Sequence, residues 1–174
     1  MDKETIAKIR RARVIRRAKL AGGLDIIGML VCLVLLAGYI VCDLVAVEGL
    51  PAAVSDIWLK VEDFLFDVYG GKFGDWLFAL TENPALPYAI LHGVFAFLFL
   101  VMAIGAFRQC NHSLKKGSCA LSAVLSLLLL AAFGFLFAEH FIWEEVLAKW
   151  YLLVPCVYFF VQMCIKSAAY AKAY

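Results

Sequence analysis

The side chains in this sequence that could do chemistry are few, and most of them fall near the ends of long apolar segments. Ionisable groups within such segments are functional candidates, because each is costly to place in the hydrocarbon of a membrane. With the segments arranged as antiparallel membrane spans, one depth near the outer surface collects two carboxylates, two histidines and a phenol: Asp43, His92, Glu139, His140 and Tyr151. These five residues are the candidates for an outward-facing pocket that binds a cation, a proton or a polar ligand.

The expected interpretation of the same band is that its groups lie at the headgroup boundary and contact water, and the pocket is the alternative. His92 distinguishes the two hypotheses, because it is the deepest of the set, roughly 7–8 Å below the surface at helical rise. Pro155 lies one turn beyond Tyr151 in the sequence. Since proline has no backbone N–H to donate, we expect a kink in the last span beside the band.

The spacing of possible ligands indicates neither a metal site nor a cofactor. Within the polar band no helix carries two ligands at i, i+3 or i, i+4, and Cys110, His112 and Cys119 lack the fourth ligand of a structural zinc site. His92 and His140 lie on different spans near the surface, so no histidine pair is available to hold haem at depth. There is also no nucleophile–base set and no phosphate-binding loop, so we do not expect an enzyme.

The elements that must position these residues are membrane-spanning helices. The chain has 174 residues, of which 65% are hydrophobic and 17% charged, with a mean hydropathy of +0.89. These values exclude an ordinary soluble domain, which is about 45–50% apolar. Runs of about 20 apolar residues are long enough to cross a bilayer as helices. They predict four spans, at about 24–47, 86–107, 118–138 and 146–165.

The charges are sorted along the chain and predict its orientation. Most basic residues lie in residues 1–20, in the loop between spans two and three, and in the C-terminal tail, whereas the loop over residues 48–85 is rich in acids. By the positive-inside rule both termini are cytoplasmic. We expect an integral protein of a bacterial-type plasma membrane. The alternative is that the first span is a cleaved signal peptide, although its apolar run is long for one.

The outer loop over residues 48–85 contains a predicted amphipathic helix. Ser55 is its expected N-cap and Gly70 its expected stop. Apolar and polar residues each recur at helical period and so form two opposite faces. The apolar face comprises Ile57, Val61, Phe64, Leu65 and Val68, and the polar face comprises Asp56, Lys60, Asp63 and Asp67. The helix is expected to lie on the outer leaflet or over the bundle, and the alternative is a docking surface or a pore vestibule.

Small residues recur at helical spacing on two spans, where they would let helices approach closely. They are Ala89 and Gly93 on span two, and Ser118, Ser122 and Ser126 on span three. Packing within the bundle is the expected role, and lining a pore or an oligomer seam is the alternative.

The basic N-terminal segment, residues 1–22, is expected to anchor the topology and to contact anionic lipid. Basic residues next to a span attract anionic headgroups, and here they are Arg10, Arg11, Arg13, Arg16, Arg17 and Lys19. Nucleic acid is not an expected partner, because no aromatic side chain precedes Tyr39 to stack on bases.

Together these patterns predict an all-α integral membrane protein: a four-helix bundle over residues 23–174 with an amphipathic helical loop on the outer side. We expect a small non-enzymatic protein that acts by association with itself or another membrane protein. It would be an oligomeric pore or an accessory subunit of a larger complex. The alternatives are a transporter or ion channel that uses the pocket around His92, and a membrane-embedded enzyme built around His92, Glu139 and His140.

Overall fold

The computed structural model describes residues 3–45, 50–69, 72–81, 83, 85–108, 116–143, 151 and 153–173. These residues are almost entirely helical and include no strand. Helix α1 is continued by a π-helical turn, Tyr39–Leu44. The helices in chain order are α1 (Lys3–Gly38), α2 (Ala52–Tyr69), α3 (Lys72–Phe78), α4 (Ala85–Arg108), α5 (Lys116–Trp143) and α6 (Leu153–Ala173).

Three apolar segments are long enough to cross a membrane, and a fourth apolar helix is shorter. The three are Lys3–Leu44, Ala85–Arg108 and Ala120–Ala138, and the fourth is Leu153–Ala168. These described helices overlap the four runs that hydropathy predicts, although Lys3–Leu44 begins well before the first of them. Exposed apolar side chains cover the outside of the bundle, as Val34 does at 70% exposure, which is consistent with contact with lipid.

The structure describes α6 from Leu153, and residues 144–150 and 152 lie outside the described part of the chain. The predicted start of the last span near residue 146 therefore stays a prediction. Pro155 lies in the first described turn of α6, where a backbone N–H needs no partner within the helix. The expected kink beside Pro155 also stays a prediction, because the residues that would precede it are not described.

The four long helices pack in a closed ring. α1 lies against α4 and α6, α4 against α5, and α5 against α6. α1 and α4 share the most extensive of these contacts, and small buried residues such as Ala18, Ala21 and Ala103 line the interior. Tyr39 packs on Tyr88 at the start of α4, and Asp25 pairs with Lys166 near the end of α6. We call these two ends of the ring the α2 end and the termini end.

α1 is continuous through residue 22, so the basic segment and the first apolar run belong to one helix. Five of the six basic residues expected to contact lipid are exposed, and Arg17 is half-buried. Lys8 and Glu4 form an exposed ion pair of 2.8 Å one turn apart. Residues 3–13 of this part of α1 are almost all exposed, whereas Val14, Ala18 and Ala21 are buried.

The amphipathic helix is present, with a different start and a rotated buried face. α2 begins at Ala52 because the Pro51 carbonyl accepts the N–H groups of Val54 and Ser55, so the predicted N-cap at Ser55 is wrong. The helix ends at Tyr69, before Gly70 as expected. Its buried side chains are Trp58, Leu65, Val68 and Tyr69, whereas Ile57 and Phe64 are exposed. The two large aromatic rings rotate the face, because burying them removes the most apolar surface from water.

Candidate functional site

A buried ion pair joins the first and last long helices at the termini end. Lys166 Nζ of α6 lies 2.9 Å from Asp25 Oδ1 and 2.8 Å from Oδ2 of α1. The two side chains are 2% and 0% exposed. Each charge is costly in an apolar interior without a counter-charge, so their contact fixes α6 against α1.

Serine residues connect this ion pair to the other two helices. Lys166 Nζ also donates to Ser126 Oγ of α5 at 2.9 Å, and Ser126 donates to the Ser122 carbonyl at 3.0 Å. Ser122 in turn donates to the Met102 carbonyl of α4 at 3.0 Å. A single polar network thus links the four helices of the ring at this end.

Two polar side chains of α6 extend the network along α1. Gln162 Nε2 donates to the Ala21 carbonyl and to the Tyr158 hydroxyl, both at 3.3 Å. Tyr158 donates to the Leu24 carbonyl at 2.7 Å. In the sequence, Asp25 lies near the start of the first apolar run, and Gln162 and Lys166 lie near the end of the last. Because the predicted spans place these residues at a similar depth in the membrane, that depth is the sequence signal that could have predicted their proximity.

Aromatic side chains from three segments form a cluster at the α2 end. Tyr39 lies edge-on to Trp58 at 4.9 Å between ring centroids, and stacks on Tyr88 at 5.9 Å. Tyr69 of α2 contacts Tyr88 and His92 of α4 at 5.8 and 5.7 Å. This cluster attaches α2 to α1 and α4, because such rings bury large apolar areas.

His92 stands at the inner side of the aromatic cluster, with one ring nitrogen occupied. Its Nδ1 lies 2.8 Å from the Tyr88 carbonyl, which can only accept, so Nδ1 carries the proton. In the neutral ring Nε2 is then an acceptor, and the Tyr69 hydroxyl lies 3.5 Å from it. Burial raises the pKa of Tyr69, which keeps the phenol protonated and able to donate. The Tyr69–His92 contact is long for a hydrogen bond.

Asp43 anchors α2 from the end of the first span. Trp58 Nε1 donates to Asp43 Oδ2 at 2.9 Å and is 3.2 Å from Oδ1. Glu62 of α2 lies near this carboxylate, and burial together with the charge of Asp43 raises the pKa of Glu62. The Asp43 carboxylate is therefore hydrogen-bonded to Trp58 of the same chain. It does not line the cavity between α1 and α6.

A cavity of about 480 Å³ lies between α1 and α6. Ile27, Val31 and Val154 are among its lining residues and are all more than half exposed, so the cavity opens sideways from the ring. Aromatic rings of the neighbouring helices form its inner wall, and α2 closes it at the α2 end. The aromatic and histidine lining residues are Phe64, Tyr69, His92, Phe95, Phe99, Phe133, Tyr151, Tyr158 and Phe159.

Tyr151 connects α2 to the region where α6 begins. Its hydroxyl donates to Asp67 Oδ2 at 3.0 Å, and its ring lies 5.2 Å from that of Phe64. Both Phe64 and Tyr151 line the cavity. The contact holds α2 across the end of the cavity.

Of the five residues of the predicted polar band, His92 and Tyr151 line this one cavity. Asp43 is placed apart, against Trp58. The side chains of Glu139 and His140 lie outside the described residues. Among the residues that the structure describes, no three histidine, cysteine or acidic side chains come together as metal ligands.

The sequence predicts that small residues let helices pack closely. Those that the structure describes make contacts inside the ring of this chain. Ser122 and Ser126 are buried in the polar network, and Ala89 is buried in the aromatic cluster. Gly93 faces Leu36 of α1, whose Cδ2 would lie 3.8 Å from an added Cβ. The side chain of Ser118 lies outside the described residues.

Compared with known proteins, the chain matches no family model, no curated protein and no solved structure.

Proposed function

We propose that this protein is a non-enzymatic, multi-pass membrane protein that holds the apolar part of a membrane-soluble ligand in the cavity between α1 and α6. The observation that carries the proposal is the cavity itself, with its volume of about 480 Å³ and its sideways opening through Ile27, Val31 and Val154. Ligand sites typically measure roughly 300–1,000 Å³ and are mostly apolar.

The surroundings of the cavity favour hydrocarbon as its occupant. The described lining residues include no Asp, Glu, Lys or Arg. Water gains little in an apolar cavity, because it needs two to four polar partners there. The polar network beyond Tyr158 joins the four helices at the termini end. This favours a cavity that is closed at that end, rather than a pore that runs through the ring.

The proposal places α2 on the outer side of the membrane and both termini in the cytoplasm, as the charge distribution predicts. Self-association, pore formation and an accessory role in a larger complex stay predictions. The described small residues pack inside the ring, so they do not add support for an oligomer seam.

Filling the cavity tests the proposal. Val154→Trp places a large ring at the opening, whereas Val157→Trp adds the same ring elsewhere on α6. The native residues are 57% and 58% exposed, and Val157 is not among the lining residues. The protein is reconstituted in lipid nanodiscs with a long alkyl chain that bears a photoreactive diazirine. Labelled peptides are identified by mass spectrometry.

We expect the wild type and Val157→Trp to be labelled at inward-facing lining residues such as Phe99 and Phe159. Val154→Trp should lose most of this labelling while keeping the thermal stability of Val157→Trp. Labelling confined to lipid-facing residues in the wild type, or equal inner labelling in both variants, would contradict the proposal.

A further inference from the structure

His92 offers the cavity a hydrogen-bond acceptor that the protein itself barely uses. The imidazole is 1% exposed, and its Nδ1 is committed to the Tyr88 carbonyl at 2.8 Å. Among the residues that the structure describes, the partner of its Nε2 is the Tyr69 hydroxyl alone, 3.5 Å away, at the outer limit of a hydrogen bond. A buried polar atom without a good partner is uncommon and calls for a physical reason. Both residues line the cavity.

We infer that the cavity is specific for an uncharged amphiphile that carries a hydroxyl group, which donates to His92 Nε2. This inference rests on the proposed function and adds the chemistry of the ligand's polar end. The apolar body would lie along the inner wall toward Phe99 and Phe159, and the hydroxyl would lie beside Tyr69 and His92.

The lining excludes a charged headgroup at this position. The described lining residues include no side chain with a full charge to pair with one, and an unpaired charge is very costly in an apolar site. A neutral hydroxyl is suited to the site because its O–H can donate a hydrogen bond to Nε2, while its oxygen can accept one from the Tyr69 hydroxyl. A carbonyl cannot donate to Nε2 and makes the poorer match.

Two kinds of membrane amphiphile share this chemistry: long-chain alcohols and ring-bearing hydroxyls such as hydroquinones. Phe95, Phe133 and Phe159 provide ring faces along the inner wall, with Phe133 and Phe159 stacked at 5.3 Å. Aromatic contacts add to the apolar contribution of a ring, so the two kinds can be compared in the same assay.

The test is competition against the diazirine-bearing alkyl probe in nanodiscs. The competitors are two matched pairs: hexadecanol with its methyl ether, and a decyl hydroquinone with its dimethyl ether. Methylation removes the donated proton and leaves the apolar body. We expect the wild type to bind at least one hydroxyl form about 3- to 10-fold more tightly than its ether, the value of one hydrogen bond. The pair with the larger ratio identifies the source.

Three variants localise the preference. His92→Phe keeps a ring in the cluster and removes the acceptor, so the hydroxyl and the ether should bind equally. His92→Gln restores an acceptor and should restore part of the preference. Tyr69→Phe removes the phenol that competes for Nε2, and it should preserve the preference for the hydroxyl form over the ether.

The outcomes separate this inference from the proposed function. Equal binding of hydroxyl and ether forms in the wild type would overturn the inference, as would a preference that survives in His92→Phe. In both cases the alkyl probe would still label the cavity if the proposed function is correct. Should His92→Phe fail to fold, the wild-type comparison and His92→Gln still decide the result.

Discussion

At the scale of single residues, the arrangement of Asp25 and Lys166 explains how two full charges are accommodated in the apolar ring. Lys166 Nζ is within 3 Å of both carboxylate oxygens and of Ser126 Oγ. Each partner is tolerated because the other is present. The pair therefore specifies which face of α6 meets α1.

Removing one charge of this pair should lower the stability of the protein far more than removing both charges. We expect Asp25→Asn or Lys166→Met alone to destabilise the protein by about 3–5 kcal/mol, since each leaves the other charge buried and unpaired. The double variant Asp25→Leu/Lys166→Met should recover most of that loss. Thermal unfolding in a mild detergent measures all three. Lys8→Met, in the exposed pair with Glu4, is the control and should cost no more than about 1 kcal/mol. Additive losses in the double variant would show that the two charges do not compensate each other.

Sequence reasoning identifies both residues of the pair but not their contact. Hydropathy marks Asp25 and Lys166 as polar positions near the ends of spans one and four, and the charge rule puts those ends on one side. The contact itself depends on α6 being the neighbour of α1 in the ring. Neighbour order is set by side-chain packing, which a one-dimensional hydropathy pattern does not contain. His92 is found from the sequence, because an ionisable group in an apolar run stands out, but its partners Tyr69 and Tyr88 are not.

At the scale of helices, α2 is fixed by close packing against the end of α1. The ring of Trp58 lies directly over Gly38, so that an added Cβ would overlap its Cζ3 atom. The same tryptophan donates to Asp43. Amphipathic spacing predicts that α2 forms, but not its rotation, because the choice between Ile57 and Trp58 depends on this cleft at Gly38.

A methyl group at Gly38 should therefore detach α2 without disturbing the rest of α1. We expect Gly38→Ala to cost about 1–3 kcal/mol through overpacking, and to expose α2 to limited proteolysis. Gly23→Ala is the matched control on the same helix, since nothing lies within 4 Å of its added Cβ. That control should be neutral or stabilising by up to about 1 kcal/mol, because alanine favours helix. Equal proteolysis of α2 in the two variants would count against the close contact at Trp58.

At the scale of the whole molecule, polar and apolar contacts are separated along the axis of the ring. Ion pairing and serine bonds join the helices at the termini end, aromatic packing attaches α2 at the other, and the cavity lies between them. The Asp25–Lys166 contact also brings the first half of α1 and the last turns of α6 to one end. The charge distribution predicts that this end is cytoplasmic.

Labelling from the two sides of the membrane tests that orientation. In a background with the six cysteines replaced by serine or alanine, Arg13→Cys and Asp56→Cys each introduce one thiol at an exposed position. We expect a membrane-impermeant maleimide to label Asp56→Cys on intact cells, and Arg13→Cys only after the membrane is opened. The physical reason is the positive-inside rule, because Arg13 lies in the basic segment and Asp56 in the acid-rich loop. Labelling of both thiols on intact cells would contradict the predicted topology. A purified chain whose mass lacks residue 13 would instead show that the first span is removed as a signal peptide.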